Sequence, residues 1–237
     1  IGFITGIGFA VFYAICGIPI ARLADQYSRR VILSAAVSLW SLMMALCGLA
    51  QTFLQLAVFR ILVGVGEAGA TPSSQSLISD YYPKEKRSSA LAIFALSSPV
   101  GILIGFLLGG LITEAYGWRL ALIIFGLPGL LLALVIFLFL RDPPRGFSDK
   151  GGEAKRTIED LPSESLWETW QVLFARRSFF HACMAGGVFS FMFLALAQWA
   201  PSFFFRSHNM TIAETGTWLA LIIGFSQIFA IYTGGIL

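Results

Sequence analysis

Arg60 and Glu67 interrupt an apolar run over residues 54–79, and their spacing carries most of the chemistry in this sequence. A charge at the centre of a lipid-spanning helix costs about 2.5–3.5 kcal/mol on insertion scales, so such residues are rarely idle. Seven residues turn a helix through about 700°, which puts both on one face about 10.5 Å apart along the axis. Thr71 and Ser74 extend that face as a polar stripe. Glu67 falls near mid-membrane and Arg60 closer to the outer side. Burial favours the neutral carboxyl, whereas a nearby guanidinium favours the charged one. A rearrangement that changes their separation, or the access of water, therefore changes affinity for a proton. A fixed interhelical ion pair is the competing reading of the same residues.

The elements that hold these charges are set by composition. Of 237 residues, 57% are hydrophobic and 12% charged, 22 are Phe, and the mean hydropathy is +0.79. A soluble fold of this length has too little interior for so much apolar surface. Residues 1–21, 31–59, 88–113, 120–140, 178–205 and 215–237 contain no Asp, Glu, Lys or Arg. A spanning helix needs about 20 apolar residues. With a break at Gln51-Thr52 and a further span over 54–79, the pattern predicts seven transmembrane helices. The runs are too long for barrel strands. The chain opens on Ile1 within one span and closes on Gly234-Gly235-Ile236-Leu237 within another, so it is expected to be a piece of a longer protein.

Lys and Arg order the loops. Arg22, Arg29 and Arg30 follow the first span, and Lys84, Lys86 and Arg87 follow the third. Arg141, Arg145, Lys150, Lys155, Arg156, Arg176 and Arg177 occupy 141–177, whereas the alternate loops hold only Arg119 and Arg206. That distribution places residues 22–30, 80–87 and 141–177 in the cytoplasm. The chain thus divides into a bundle over 1–140, a linker over 141–177 and two more helices over 178–237. Within the linker, Ser165 and Glu168 have capping-box spacing. Leu166, Trp167, Trp170, Leu173 and Phe174 share a helix face beside Arg176 and Arg177. This suits a helix lying in the cytoplasmic interface or an ordinary connecting helix. Ala14-Ile15-Cys16-Gly17-Ile18 and Ala230-Ile231-Tyr232-Thr233-Gly234 end corresponding spans and hint at a parallel repeat.

Other chemistry is sparse. Cys16, Cys47 and Cys183 have unrelated spacings, and His181 and His208 lack partners at metal-ligand spacing, so neither metal nor cofactor is expected. HExxH, GxSxG and paired intramembrane aspartates are absent, which argues against an enzyme, and the missing Walker lysine motif argues against ATP-driven transport within this chain. Gln198-Trp199-Ala200-Pro201 suits a cavity wall or an outer gate, with an interfacial Trp beside a proline kink as the alternative. Asn209-Met210-Thr211 fits a glycosylation sequon on an outer loop.

Three motifs carry a resemblance. Ala21-Arg22-Leu23-Ala24-Asp25-Gln26-Tyr27-Ser28-Arg29-Arg30 resembles the loop signature G-x-L-A-D-R-x-G-R-R of the major facilitator superfamily, departing at Ala21, Gln26 and Ser28. Arg60-Ile61-Leu62-Val63-Gly64-Val65-Gly66-Glu67 resembles its fourth-helix motif. Gly101, Gly105, Gly109 and Gly110 follow its fifth-helix pattern, with Phe106 replacing a proline. These glycines suit close helix packing or a hinge. Arg60 with Glu67, Arg141-Asp142-Pro143-Pro144-Arg145-Gly146 and Trp199-Ala200-Pro201-Ser202-Phe203 are similar to the Spinster-like branch.

The resemblance implies an all-α bundle of which seven of twelve transmembrane helices are present, spans two to eight. It implies a proton-coupled secondary transporter working by alternating access on a small organic, amphipathic or lipid-like solute. Glu67 and Arg60 would couple protons, Asp25, Arg29 and Arg30 would gate the cytoplasmic side, and Thr71, Ser74, Gln198 and Trp199 would line the substrate cavity. An acidic partner on the missing first helix is implied as well. The expected setting is a bacterial cytoplasmic membrane. A seven-helix receptor and an organic-anion symporter of a neighbouring branch are the alternatives. The dividing loop and the loop signature weigh against the receptor.

Overall fold

The structure is a computed structural model and describes residues 6–148 and 166–234. The described residues are mostly helical, and no strand occurs among them. In chain order the helices are α1 (Ile7–Gln26), α2 (Arg29–Leu49), α3 (Phe53–Glu67), α4 (Ala70–Tyr81), α5 (Lys84–Ala95) and α6 (Ser97–Tyr116). They continue with α7 (Trp118–Phe139), α8 (Leu166–Ala175), α9 (Arg177–Ser207) and α10 (Ile212–Leu219). A wider π turn over Ala220–Phe225 then leads into α11 (Ser226–Gly234).

These helices assemble into seven segments long and apolar enough to cross a bilayer among the described residues. The chain is accordingly an integral, multi-pass membrane protein. Two of the segments, Phe53–Tyr81 and Lys84–Tyr116, each consist of two helices in tandem. The sequence pattern reads the first as one uninterrupted helix and starts the second only at residue 88. Proline explains both interruptions: Pro72 and Pro99 each lack an N–H and crowd the carbonyl four residues earlier, at Ala68 and Ala95. The first interruption falls immediately after Glu67. α5 also extends three turns below the second, carrying Lys84, Lys86 and Arg87 into what charge alone marks as loop.

At the predicted Gln51-Thr52 break, the Thr52 hydroxyl accepts from Gln55 N–H at 3.2 Å while the Gln55 side chain accepts from Thr52 N–H at 3.3 Å. This reciprocal cap starts α3. α2 sits at the centre of the first five spans, packed against α1, α3, α4 and α7. Its buried Leu33 and Val37 meet Leu77 of α4 and Ala133 of α7, with Trp40 and Ile136 alongside. The α2–α7 contact is close enough that a Cβ at Gly126 would lie 2.6 Å from the Ala45 nitrogen. Leu131, Leu138 and Phe139 on the other side of α7 are exposed, as lipid-facing side chains are. α9 has little cover by comparison, touching mainly α8 and α10. The Ser165 cap predicted for α8 lies outside the described residues. The helix itself is present, with Trp170 stacked on Phe174 at 4.5 Å.

Candidate functional site

Three groups of residues bear on function, and they differ in how firmly the fold holds them. The first is the α3 pair. Arg60 and Glu67 both fall within the unbroken part of the span, so the seven-residue spacing holds them on one helix face. Glu67 is exposed and makes no hydrogen bond or ion pair among the described residues. Arg60 is half-buried, and its guanidinium has only Met44 Sδ at 3.9 Å. The fixed interhelical ion pair is therefore not formed among the described residues. Thr71 is exposed beyond the Pro72 interruption, and Ser74 is half-buried. The intervening Ser73 is fully buried, with a hydroxyl that has no partner among the described residues.

The second group lies at the loop ends of α1, α2, α4 and α7 and is tightly held. Arg29, only 2% exposed, lies between two carboxylates and pairs with Asp80 at the end of α4 and with Asp142 just after α7. Its Nε donates to Asp142 at 3.0 Å, Nη1 to the Ser76 hydroxyl at 3.2 Å and Nη2 to the Pro143 carbonyl at 2.6 Å. Ser28 donates to the other Asp142 oxygen at 2.8 Å. Burial pushes the Asp142 carboxyl up, but the Ser28 hydrogen bond and the Arg29 charge outweigh it and hold it below its ordinary value. The second Asp80 oxygen accepts from Gly146 N–H at 2.8 Å. Arg145 donates to the Ala24 carbonyl at 2.7 Å, and the Tyr81 hydroxyl donates to the Arg141 carbonyl. The turn over 141–146 is thereby fastened to the end of α1, the start of α2 and the end of α4.

The three residues expected to gate separate here. Arg29 is the buried centre of this clamp. Arg30 lies with its guanidinium 5.6 Å from the Phe137 ring, and its Nε has no partner among the described residues. Asp25 is 63% exposed and 3.8 Å from Arg145, a contact of little strength in water. Asp80 and Ser76 were not singled out from sequence, and Asp142 was singled out only as part of a motif. An Asp at the end of an apolar run, level with the loop arginines, is the signal that could have found Asp80.

The third group is the seam between α6 and α10, at the opposite end of α6 from the clamp. Gly110 and Gly216 meet there backbone to backbone, and a Cβ at Gly216 would lie 3.1 Å from the Gly110 Cα. Gly101 and Gly105 face open space and the place of a Cβ at Gly109 meets only Phe125, so of the fifth-helix glycines only Gly110 serves close packing. A cavity of about 360 Å³ adjoins the seam, lined by Phe106 and Thr113 of α6, Pro201 and Phe205 of α9, and Thr215 of α10. Gln198 and Trp199 are exposed one turn away and do not line it. The Thr of the sequon caps α10 by accepting from Glu214 N–H at 3.2 Å, and Asn209 takes the left-handed conformation that Asn tolerates. No cluster of metal-ligating side chains occurs among the described residues.

Comparison with known proteins fits this arrangement. The family model described as Major Facilitator Superfamily matches residues 1–237. An MFS-type efflux pump from Mycolicibacterium smegmatis is 31% identical over 225 residues, 94% of this chain and 50% of the pump. Protein spinster from Drosophila melanogaster is 31% identical over 85% of this chain and 32% of its own length. Protein spinster homolog 1 from Homo sapiens is 30% identical over 87% of this chain and 39% of its own length. The crystal structure of a bacterial homolog to the human lysosomal transporter Spinster, inward-facing and unoccupied, superposes with a TM-score of 0.81 at 32% identity. That match covers 99% of this chain and 53% of the other. The chain spans half or less of the length of these curated relatives.

Proposed function

The chain belongs to the major facilitator superfamily as a Spinster-like member, and from that premise we propose that it forms part of a proton-coupled secondary transporter. The solute is a small organic or amphipathic molecule, moved by alternating access between the helices of 1–140 and those beginning at 178, with 141–177 as the linker. The membrane is the bacterial cytoplasmic membrane, and 22–30, 80–87 and 141–177 face the cytoplasm. The efflux pump among the relatives suggests outward movement of solute.

The observation that carries this reading is Glu67. It is an exposed carboxylate within a membrane span, unpaired among the described residues, on the same helix as a guanidinium that also lacks a carboxylate partner there. A carboxylate so placed is free to take and release a proton as water reaches it from either side. Pro72 breaks the helix one turn beyond, and such breaks are tolerated where backbone lines a cavity. Arg60, open on its other side, suits the anionic head of an amphipathic solute, which keeps the organic-anion alternative in play.

Gating divides between two functions. Arg29 serves as the fixed pivot that keeps the first five spans rigid during rocking, and Asp25 is the exposed charge left to change partners. Glu67→Gln in the intact protein, reconstituted in liposomes, is expected to abolish solute flux driven by a proton gradient while the thermal melt stays unchanged. Flux with the parent's pH dependence would overturn proton coupling through Glu67.

A further inference from the structure

The outer seam holds one polar contact that none of the motifs describes. Glu114, on the last turn of α6, reaches α10 and accepts a hydrogen bond from Ala213 N–H at 2.6 Å. The first N–H groups of a helix have no partner within it and carry partial positive charge, so an external carboxylate binds there as a charge-assisted acceptor. α10 supplies its own cap for the next donor: Thr211 takes Glu214 N–H, and the Glu214 carboxylate returns to Thr211 N–H at 2.9 Å. Ala213 N–H is left for Glu114. One turn below, Gly110 and Gly216 let the two backbones touch, and further in Leu103 stands where a Cβ of Gly224 would be, at 2.6 Å. The carboxylate thus closes the outer end of a seam whose remaining contacts are apolar and nearly featureless.

We propose that Glu114 is the latch of the outer gate. It pins α6, before the linker, to the N-terminus of α10, after it, and its release is required for the outer side to open. The assignment rests on the alternating-access reading above and adds to it the residue that sets the balance between the two states. Physical economy favours such a device. Glycine-to-glycine contact between membrane helices is short-range, with no strong partner to lose on separation, whereas a single carboxylate on exposed amides can exchange them for water at the membrane surface. Glu114 is itself exposed, so water stands ready to replace the bond. The seam also contrasts with the cytoplasmic clamp, whose described bonds all lie within residues 24–148 and so hold nothing across the linker.

The test uses the intact protein in nanodiscs with Cys16, Cys47 and Cys183 replaced by Ala. Spin labels at Tyr116→Cys and Arg206→Cys report the separation of the outer ends by electron–electron double resonance. Glu114→Ala is expected to shift the ratio of long to short separations about tenfold toward long, the size of one lost charge-assisted bond. It should also raise hydrogen–deuterium exchange over residues 211–216. Glu114→Gln keeps an acceptor oxygen and is expected to fall between parent and Ala. Unchanged exchange overturns the latch, because the bond then does not exist in the membrane. Raised exchange with an unchanged ratio overturns it too, reducing Glu114 to a simple cap. A parent that shows one separation at every pH overturns alternating access itself and the latch with it, whereas two separations insensitive to Glu114 remove the latch alone.

Discussion

The Arg29 clamp and the α6–α10 seam are built from opposite materials. In the clamp a buried guanidinium is shared by two carboxylates and donates to a serine and a proline carbonyl, while a glycine amide donates to one of those carboxylates. In the seam two helices meet through glycines, with one carboxylate on one amide. The first joins elements within the first five spans, and the second joins a helix among those five to the last span. Charge is expensive to bury and expensive to unpair once buried. It therefore suits a joint that should not move. Small residues pack closely with little directional bonding, and they suit a surface that must part and close again.

The largest expected effect follows from breaking the clamp. Arg29→Ala leaves Asp80 and Asp142 facing one another without a counter-charge, and removing one member of a buried pair costs about 3–5 kcal/mol. The purified protein should melt well below the parent or fail to accumulate. Arg29→Lys should fall between, because an ammonium cannot reproduce the fork that engages Asp142, Ser76 and Pro143 together. A melt within a degree of the parent for Arg29→Ala would dissolve the contrast between the two regions.

The seam should respond more gently. A Val at Gly216 adds atoms where the Gly110 Cα and the Phe106 carbonyl already stand, and overpacking of this kind costs about 1–3 kcal/mol. Here the cost falls on the closed seam and not on the folded halves. Outer-side accessibility, read by labelling a cysteine at Tyr116, should rise while the melt of the first five spans is little changed. A large drop in that melt with no change in labelling would place the seam among the structural joints.

Acid separates the clamp from an ordinary surface pair. The Asp142 carboxyl is held below its ordinary value, so its stabilisation is complete above the unfolded value of about 3.9 and is lost as pH falls through the lower folded value. Between pH 7 and pH 5 the contribution of Asp142 to the melting temperature should be full and independent of pH, so parent and Asp142→Asn should differ by a constant amount. A difference that closes by pH 5 would show that the carboxyl is not held down. Asp25→Asn marks the lower end of the scale. At 63% exposure and 3.8 Å from Arg145 the pair contributes about 0–1 kcal/mol, so stability should not move measurably even where flux does.

Much of this molecule was readable in one dimension because lipid imposes a simple code. Run length gave the seven spans, the partition of Lys and Arg gave an expected orientation for them, and about 700° of helix put Arg60 and Glu67 on one face. Helix interruptions were less visible. Pro72 and Pro99 stand in the sequence, but whether a proline kinks a helix or splits it depends on what packs against the freed carbonyl. Partners were not visible at all. Nothing in the spacing says that Arg29 would choose Asp80 and Asp142 over Asp25, four residues away. Asp25, in the last turn of α1, is mostly exposed, whereas the other two arrive from the ends of α4 and α7, 51 and 113 residues on.

The sequence by itself determined the solvent, the number of spans and the residues worth the cost of placing in lipid, since each depends on composition and local period. Only the tertiary structure decided which charges are fixed and which are free. That choice turns on burial and on the meeting of distant helix ends, and it left Glu67 open, enclosed Arg29 and brought Glu114 to the Ala213 amide, which the α10 capping box leaves unbonded.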